Sequence, residues 1–180
     1  TTASEVKLLT EIQGVEAVTP VVEDNALAIY GNKQQPVVIK GVPANYSSVN
    51  NIVDALIDGE TMFADSIPYA VIGVGISNTL MVAPHFLSPI YLYAPKRKAK
   101  VNLINPSTSF NTRQVYCSGV FSISQSESDN KFVYVPIDVA KQLFDYTTET
   151  TLLEIKVADE RNVGSIKKEA QKILGEEYVV

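Results

Sequence analysis

The sequence predicts an α+β fold, on three observations. Residues 68–80 (PYAVIGVGISNTL) combine a short apolar strand at Tyr69, Ala70, Val71 and Ile72, a glycine turn from Gly73 to Gly75, and a helix. An unbroken apolar run of that length is what a strand covered on both faces requires. Residues 152–180 read as strand, helix, strand, about the shortest chain that forms such a unit. Between and before these lie short apolar runs bounded by glycine, proline and asparagine, the mark of hairpins.

The elements follow in order. Residues 4–12 suit a helix: Val6, Leu9 and Ile12 share a face, Ser4 is placed to cap the start, and Gly14 follows the end. Residues 15–22 alternate as a strand, with Pro20 marking a bulge or an edge. Residues 26–30 and 36–40 form a hairpin turned by Gly31, Asn32 and Lys33. Gly41, Val42 and Pro43 end it, and Asn45 to Asn51 make a polar loop with room for one helical turn. Asp58, Gly59 and Glu60 read as a turn, anchored by Met62 and Phe63.

After the strand, turn and helix of residues 68–80, Pro84, His85 and Phe86 end the helix and residues 89–94 form a strand. Residues 95–112 show no regular period. Residues 114–123 and 131–135 read as a second hairpin with a polar tip at 124–130. Pro136 fits the first turn of a helix that turns Ile137, Ala140, Leu143 and Phe144 inward. In the closing unit Asn162 is placed to cap a helix whose stripe is Val163, Ile166, Ala170, Ile173 and Leu174. Gly175 stops that helix, and residues 178–180 read as a strand.

Composition restricts function. The chain has 180 residues, 46% hydrophobic and 19% charged, which suits one good core or two small subdomains. A net charge of -5 argues against a nucleic-acid surface. The basic cluster Lys96, Arg97, Lys98 and Lys100 has no aromatic platform beside it and reads as a solvated face. The single cysteine excludes an intrachain disulfide, and no apolar run approaches the ~20 residues that span a bilayer. The chain starts at Thr1 without an initiator Met and stops on Val180, so it is expected to be an excised piece of a longer protein.

The search for chemistry yields mostly exclusions. Gly73-Val74-Gly75 invites a dinucleotide fingerprint, but position 78 is Asn and no acid follows about 20 residues on. A packing turn is the better reading, and no cofactor is expected. His85, the only histidine, sits at a helix end between Pro84 and Phe86 and reads as structural. Cys117 lies within an apparent strand and reads as a small buried hydrophobe. Glu23-Asp24, Asp58 with Glu60, and Glu176-Glu177 sit near turns or helix ends as solvated carboxylates. Asn45-Tyr46-Ser47 is a glycosylation sequon by pattern alone. No metal site and no catalytic residues are expected, which points to binding or mechanical coupling. A hydrolase built on a serine, His85 and an aspartate is the minority alternative.

The order of short motifs resembles the extracytoplasmic domain of ABC transporter permeases of the MacB/FtsX superfamily, the MacB-like periplasmic core domain. The resemblance looks closest to lipoprotein-releasing permeases. It runs through Gly14 to Pro20 (GVEAVTP), Val38 to Val42 (VIKGV), Gly59-Glu60 with Phe63, and Ala70 to Leu80. It continues through Val115 to Phe121 (VYCSGVF), Asp129, Val133 to Pro136, and the closing strand and helix. Leu87-Ser88 stands where the family has a Gly-Asp turn, and Asn78 where a small residue is common.

The resemblance implies a mixed α/β porter-type subdomain from residues 1–86 and 148–180, with an inserted β-rich subdomain at 87–147. It implies a place between the first and second membrane helices of a permease, on the periplasmic side of the bacterial inner membrane. Its implied partners are a second permease chain, a cytoplasmic ATPase, lipoprotein cargo, and a periplasmic lipoprotein carrier or adaptor. The chain itself would hydrolyse nothing. The family's carrier-docking loop corresponds to residues 101–112, with Leu103, Ile104 and Phe110 as apolar anchors, Asn105 beside them and Pro106 as stiffener. An efflux permease or a regulator of cell-wall hydrolases with the same fold is the alternative.

Overall fold

The computed structural model describes residues 3–64, 66–97, 109–124, 126–176 and 178–180. Among the described residues the helices are α1 (Ala3–Thr10), α2 (Tyr46–Val49), α3 (Val74–Leu80), α4 (Ser126–Lys131), α5 (Ile137–Leu143) and α6 (Val163–Leu174). The strands are β1 (Val15–Tyr30), β2 (Lys33–Val42), β3 (Leu56–Gly59), β4 (Tyr69–Gly73), β5 (Ile90–Pro95), β6 (Phe110–Phe121), β7 (Phe132–Pro136) and β8 (Leu152–Val157). This is the α+β class expected.

The strands form one mixed sheet in the order β2-β7-β4-β6-β5-β1-β8. Because β1 also pairs with β2, the path from β2 to β1 closes into a ring. Strand β1 makes this possible. Its second half, from Val22, pairs with β2 along nine positions, and Leu27 to Ile29 pair with β5 on the other side. Its first half leaves the ring and pairs antiparallel with β8. Residues 15–22 and 26–30 are therefore one strand, not two, since pairing with β2 carries the poor strand formers Asp24 and Asn25 through. Pro20 sits in the half paired on one side, where a missing N–H is tolerated, and the bulge falls between Val15 and Ala17.

Alternation divides the core. Ala70 and Ile72 of β4 face the main cluster with Val22, Ile39, Leu92, Val115 and Val133. Ile76 and Leu80 of α3, Ala140 and Leu143 of α5, and Phe144 directly after α5 complete that cluster. Val71 faces the other way, into a second cluster with Val21, Val42, Tyr46, Phe63 and Phe121. A third, smaller cluster joins the chain ends: Leu9 of α1 and Ile12 just beyond it meet Ile166 and Ala170 of α6, with Ile155 of β8 against them.

Several expectations are corrected. Residues 114–123 and 131–135 do not form a hairpin. Strand β6 runs parallel to β4, β7 runs antiparallel to β4, and β4 lies between them. The supposed polar tip instead contains α4, whose Asp129 is buried and accepts from Ser122 Oγ at 2.8 Å and Ile123 N–H at 2.9 Å. Asp58 and Gly59 are not a turn but the end of β3, paired with β6. Gly59, at φ 71°, lets the strands close up, since a Cβ there would run into the Ser118 carbonyl. Residues 110–112, read as irregular, open β6. Residues 178–180 are not a strand; the Gln171 side chain donates to the Tyr178 carbonyl at 2.8 Å and holds the end back on α6. Asn162 makes no side-chain cap, and Asp159 caps the preceding 3-10 turn by accepting from Arg161 N–H. The side chain of Ser4 lies outside the described residues.

Residues 87–147 supply β5, β6 and β7, which pair with β1, β2 and β4 from residues 1–86.

Candidate functional site

Strands β5 and β6 pair antiparallel from Ile90 opposite Val115 to Pro95 opposite Phe110. Lys96 N–H then donates to the Ser109 carbonyl at 2.9 Å. The chain between these points therefore leaves and re-enters the sheet at one place, at the end of a hairpin. Leu103, Ile104, Asn105 and Pro106 fall within it and lie outside the described residues, as do Lys98 and Lys100. Phe110 is the one expected anchor within them. It opens β6 and is 43% exposed, so its ring stands at the hairpin's root.

The root is braced from one side. The Arg97 guanidinium lies 4.5 Å from the Tyr146 ring centre and 3.8 Å from Glu149. The Tyr146 hydroxyl donates to Asp24 at 3.3 Å, on β1. Asn111 Nδ2 donates to the Leu143 carbonyl at 3.0 Å and Arg113 Nε to Gln142 Oε1 at 3.1 Å, tying the hairpin to the end of α5. Arg97 is thus engaged as a brace, by stacking over a ring and by an ion pair.

A second feature lies at the opposite end of β6. A cavity of about 610 Å³ is lined by Glu60, Met62, Tyr69, His85, Phe86, Leu87, Tyr116, Cys117 and Ser118 with residues 66–68. It brings His85 beside serines and a carboxylate, but that carboxylate is Glu60 and not the aspartate of the hydrolase alternative. The Ser118 hydroxyl is buried and donates to the Ala70 carbonyl at 3.4 Å. Cys117 donates through Sγ–H to the Gly119 carbonyl, and burial pushes its thiol up to about 12. Neither group is arranged as an activated nucleophile, which needs an adjacent base or a lowered pKa. Cys117 is the small buried hydrophobe expected.

The glycines of residues 73–75 also find their role. A Cβ on Gly73 would strike the Asp129 carbonyl, and one on Gly75 the Asn130 side chain. The turn is a packing seat for α4. Gly75 lies within α3 and not in a phosphate-cradling loop. Among the described residues no group of three His, Cys, Asp or Glu side chains is placed to hold a metal ion. No helix among them is long and apolar enough to cross a membrane.

The residue pattern alone missed a polar cluster between β2, β7 and β8. Glu154 of β8 takes Lys40 Nζ at 2.6 Å, the Tyr46 hydroxyl at 2.8 Å and Asn50 Nδ2 at 3.2 Å. Lys40 also lies 5.2 Å from the Phe132 ring centre and 5.7 Å from that of Tyr134. The only sequence signal is a lysine directly after the apolar run Val37 to Ile39 of β2.

A family model, the MacB-like periplasmic core domain, matches residues 1–173. The extracellular domain of the noncanonic ABC-type transporter YknZ from Gram-positive bacteria is similar in fold. It has a TM-score of 0.64 at 16% identity, over 98% of this chain and 83% of that one. The periplasmic region of MacB from Actinobacillus actinomycetemcomitans is similar at a TM-score of 0.62 and 16% identity, over 95% and 71% of the two chains. No curated protein sequence is significantly similar.

Proposed function

The chain belongs to the MacB-like periplasmic core domain family, and from that premise we propose that it engages cargo or a partner protein through the end of the β5–β6 hairpin. It is the extracytoplasmic domain of an ABC transporter permease. In this reading the ATPase is a separate cytoplasmic unit. The cargo in this reading is lipoprotein, released as cytoplasmic ATP hydrolysis drives two permease chains together. The partner is a periplasmic lipoprotein carrier or adaptor. The chain acts as a binding and coupling module, not as an enzyme.

One observation carries the reading. The hairpin root is fixed on both strands, by the Lys96–Ser109 hydrogen bond and by the Arg97–Tyr146 stack. The described residues on either side of 98–108 thus form a braced stem, on which Phe110 is half-exposed. A rigid stem lowers the ordering cost of a contact made at its end.

The test replaces residues 101–108 by a short glycine–serine link, leaving β6 intact, and measures capture of a lipoprotein carrier by the chain. Loss of capture supports the reading, and unchanged capture removes the hairpin end from the account.

A second reading keeps the fold and changes the cargo, to an efflux permease or a regulator of cell-wall hydrolases. The family model favours it to the extent that it is MacB-like and not specific to lipoprotein release. Capture of a periplasmic adaptor in place of a lipoprotein carrier would select it.

A further inference from the structure

The far edge of β6 is covered in two pieces. Strand β5 pairs with it as far as Val115, opposite Ile90, and β3 pairs from Gly119 onward, opposite Gly59. Tyr116 and Cys117 lie between the two partners, and the 610 Å³ cavity opens there. Its volume is within the range of small-molecule sites, roughly 300–1,000 Å³.

The walls have a definite chemistry. Tyr69 and Tyr116 are strand partners whose rings stand 6.5 Å apart at 66°, edge to face. His85, Phe86 and Leu87, which follow α3, supply another wall. Both Met81 (φ 56°) and His85 (φ 73°) hold left-handed backbone that non-glycine residues seldom adopt. That strained path leaves Phe86 48% and Leu87 92% exposed at the rim. With Ile67 they form adjoining exposed apolar side chains beside a cavity, and contiguous apolar surface of that kind marks ligand-binding grooves. The Glu60 N–H donates to the Ser118 carbonyl at 2.8 Å, so the Glu60 backbone is fixed at the cavity's edge. No lysine or arginine is among the lining residues, and the whole chain carries a net charge of -5.

Aromatic faces attract cations through the ring quadrupole, and a carboxylate at the same mouth adds to that attraction while repelling anions. We propose that this cavity binds a small organic cation, an aryl or alkyl ammonium. Its charge sits at Glu60 and its apolar body lies between Tyr69, Tyr116 and the Phe86–Leu87 rim. The proposal does not depend on the transporter reading, since it rests on the cavity alone.

The experiment titrates benzyltriethylammonium into the 180-residue chain and follows amide NMR shifts and calorimetric heat. Benzyl alcohol and benzoate serve as neutral and anionic controls. The expected result is saturable binding at least about tenfold tighter for the cation than for the alcohol, with shifts centred on Tyr69, Phe86, Leu87 and Tyr116. Glu60→Gln, at an exposed position, should bring the cation down to the alcohol's affinity without moving Tm. Glu11→Gln, on a distant exposed carboxylate, should leave it unchanged. Absence of saturable shifts, equal or tighter binding of benzoate, or full affinity in Glu60→Gln overturns the proposal.

Discussion

The Lys40 ammonium stands 2.6 Å from the Glu154 carboxylate and joins the closed ring of strands to the terminal strand β8. Both side chains are mostly covered, at 12% and 22% exposure, so the pair acts where water screens it little. Glu154 also accepts from Tyr46 and Asn50, which leaves its oxygens well satisfied. A well-satisfied carboxylate is what a partly buried lysine needs to offset the cost of its own desolvation.

Removing that acceptor should therefore cost more than a surface ion pair does. Glu154→Ala leaves a covered ammonium, a phenol and an amide short of a partner. We expect a loss of about 2–3 kcal/mol, the range for hydrogen bonds to charged groups left unmade. Urea unfolding with an unchanged m-value measures it. A loss below about 0.5 kcal/mol, typical of exposed pairs, would show the cluster to be incidental.

The same cluster makes the protein sensitive to alkali. Burial opposes the charge on Lys40, but Tyr134, Glu154 and Glu23 outweigh it and raise its pKa above the ordinary 10.5. Burial, then Glu154, push the Tyr46 phenol well above its ordinary 10.0. Both groups keep their protons in the folded chain at a pH where the unfolded chain loses them. Their stabilisation is thus complete below about pH 10 and is lost as pH rises beyond it. Tm should hold steady from about pH 7 to 9 and fall above about 10. In Tyr46→Phe the alkaline fall should be shallower, and an identical fall would assign it elsewhere.

Two glycines should respond in opposite directions to the same change. Gly73→Ala drives a methyl into the Asp129 carbonyl, which belongs to backbone and cannot swing away. A cost of about 1–3 kcal/mol is expected, as for other overpacked sites. Gly164 lies in α6 with nothing within 4 Å of a Cβ. Gly164→Ala should stabilise by about 0.5–1 kcal/mol through helix propensity. Thermal denaturation of the two variants side by side decides the matter.

Cys117 should be inert in the folded chain. Its thiol is 3% exposed, and burial holds its pKa at about 12. Iodoacetamide at pH 8 should label it on the order of 1,000-fold more slowly than a free cysteine, because so little thiolate exists. Urea should restore the ordinary rate. Rapid labelling without urea would mean that the lined cavity opens far enough to expose the sulfur.

The local elements were legible because their causes are local. The stripe Ile166, Ala170, Ile173 and Leu174 marks α6, the two-residue link between Tyr30 and Lys33 marks the first hairpin, and the run Tyr69 to Ile72 marks β4. The second hairpin was misread because two apolar runs near in sequence need not pair. The six residues of α4 between β6 and β7 let the chain step over β4. Of the expected binding loop, Phe110 proved to begin a strand, since a partner at Pro95 supplies the pairing that its own sequence does not announce.

By itself, then, the sequence determined the type of its most periodic segments, such as α6 and β4, which of their faces are apolar, and that residues 73–75 serve packing. Those follow from side-chain period and from glycine's missing Cβ, both readable along the chain. The tertiary structure alone decided that β4 separates β6 from β7, that β1 closes the ring, and that Lys40 finds Glu154. It alone decided that Tyr116 lies opposite a gap between two strands that fall short of one another. Such partners lie tens of residues apart, and the choice among them is made by how whole faces bury against one another. No window of sequence contains that information.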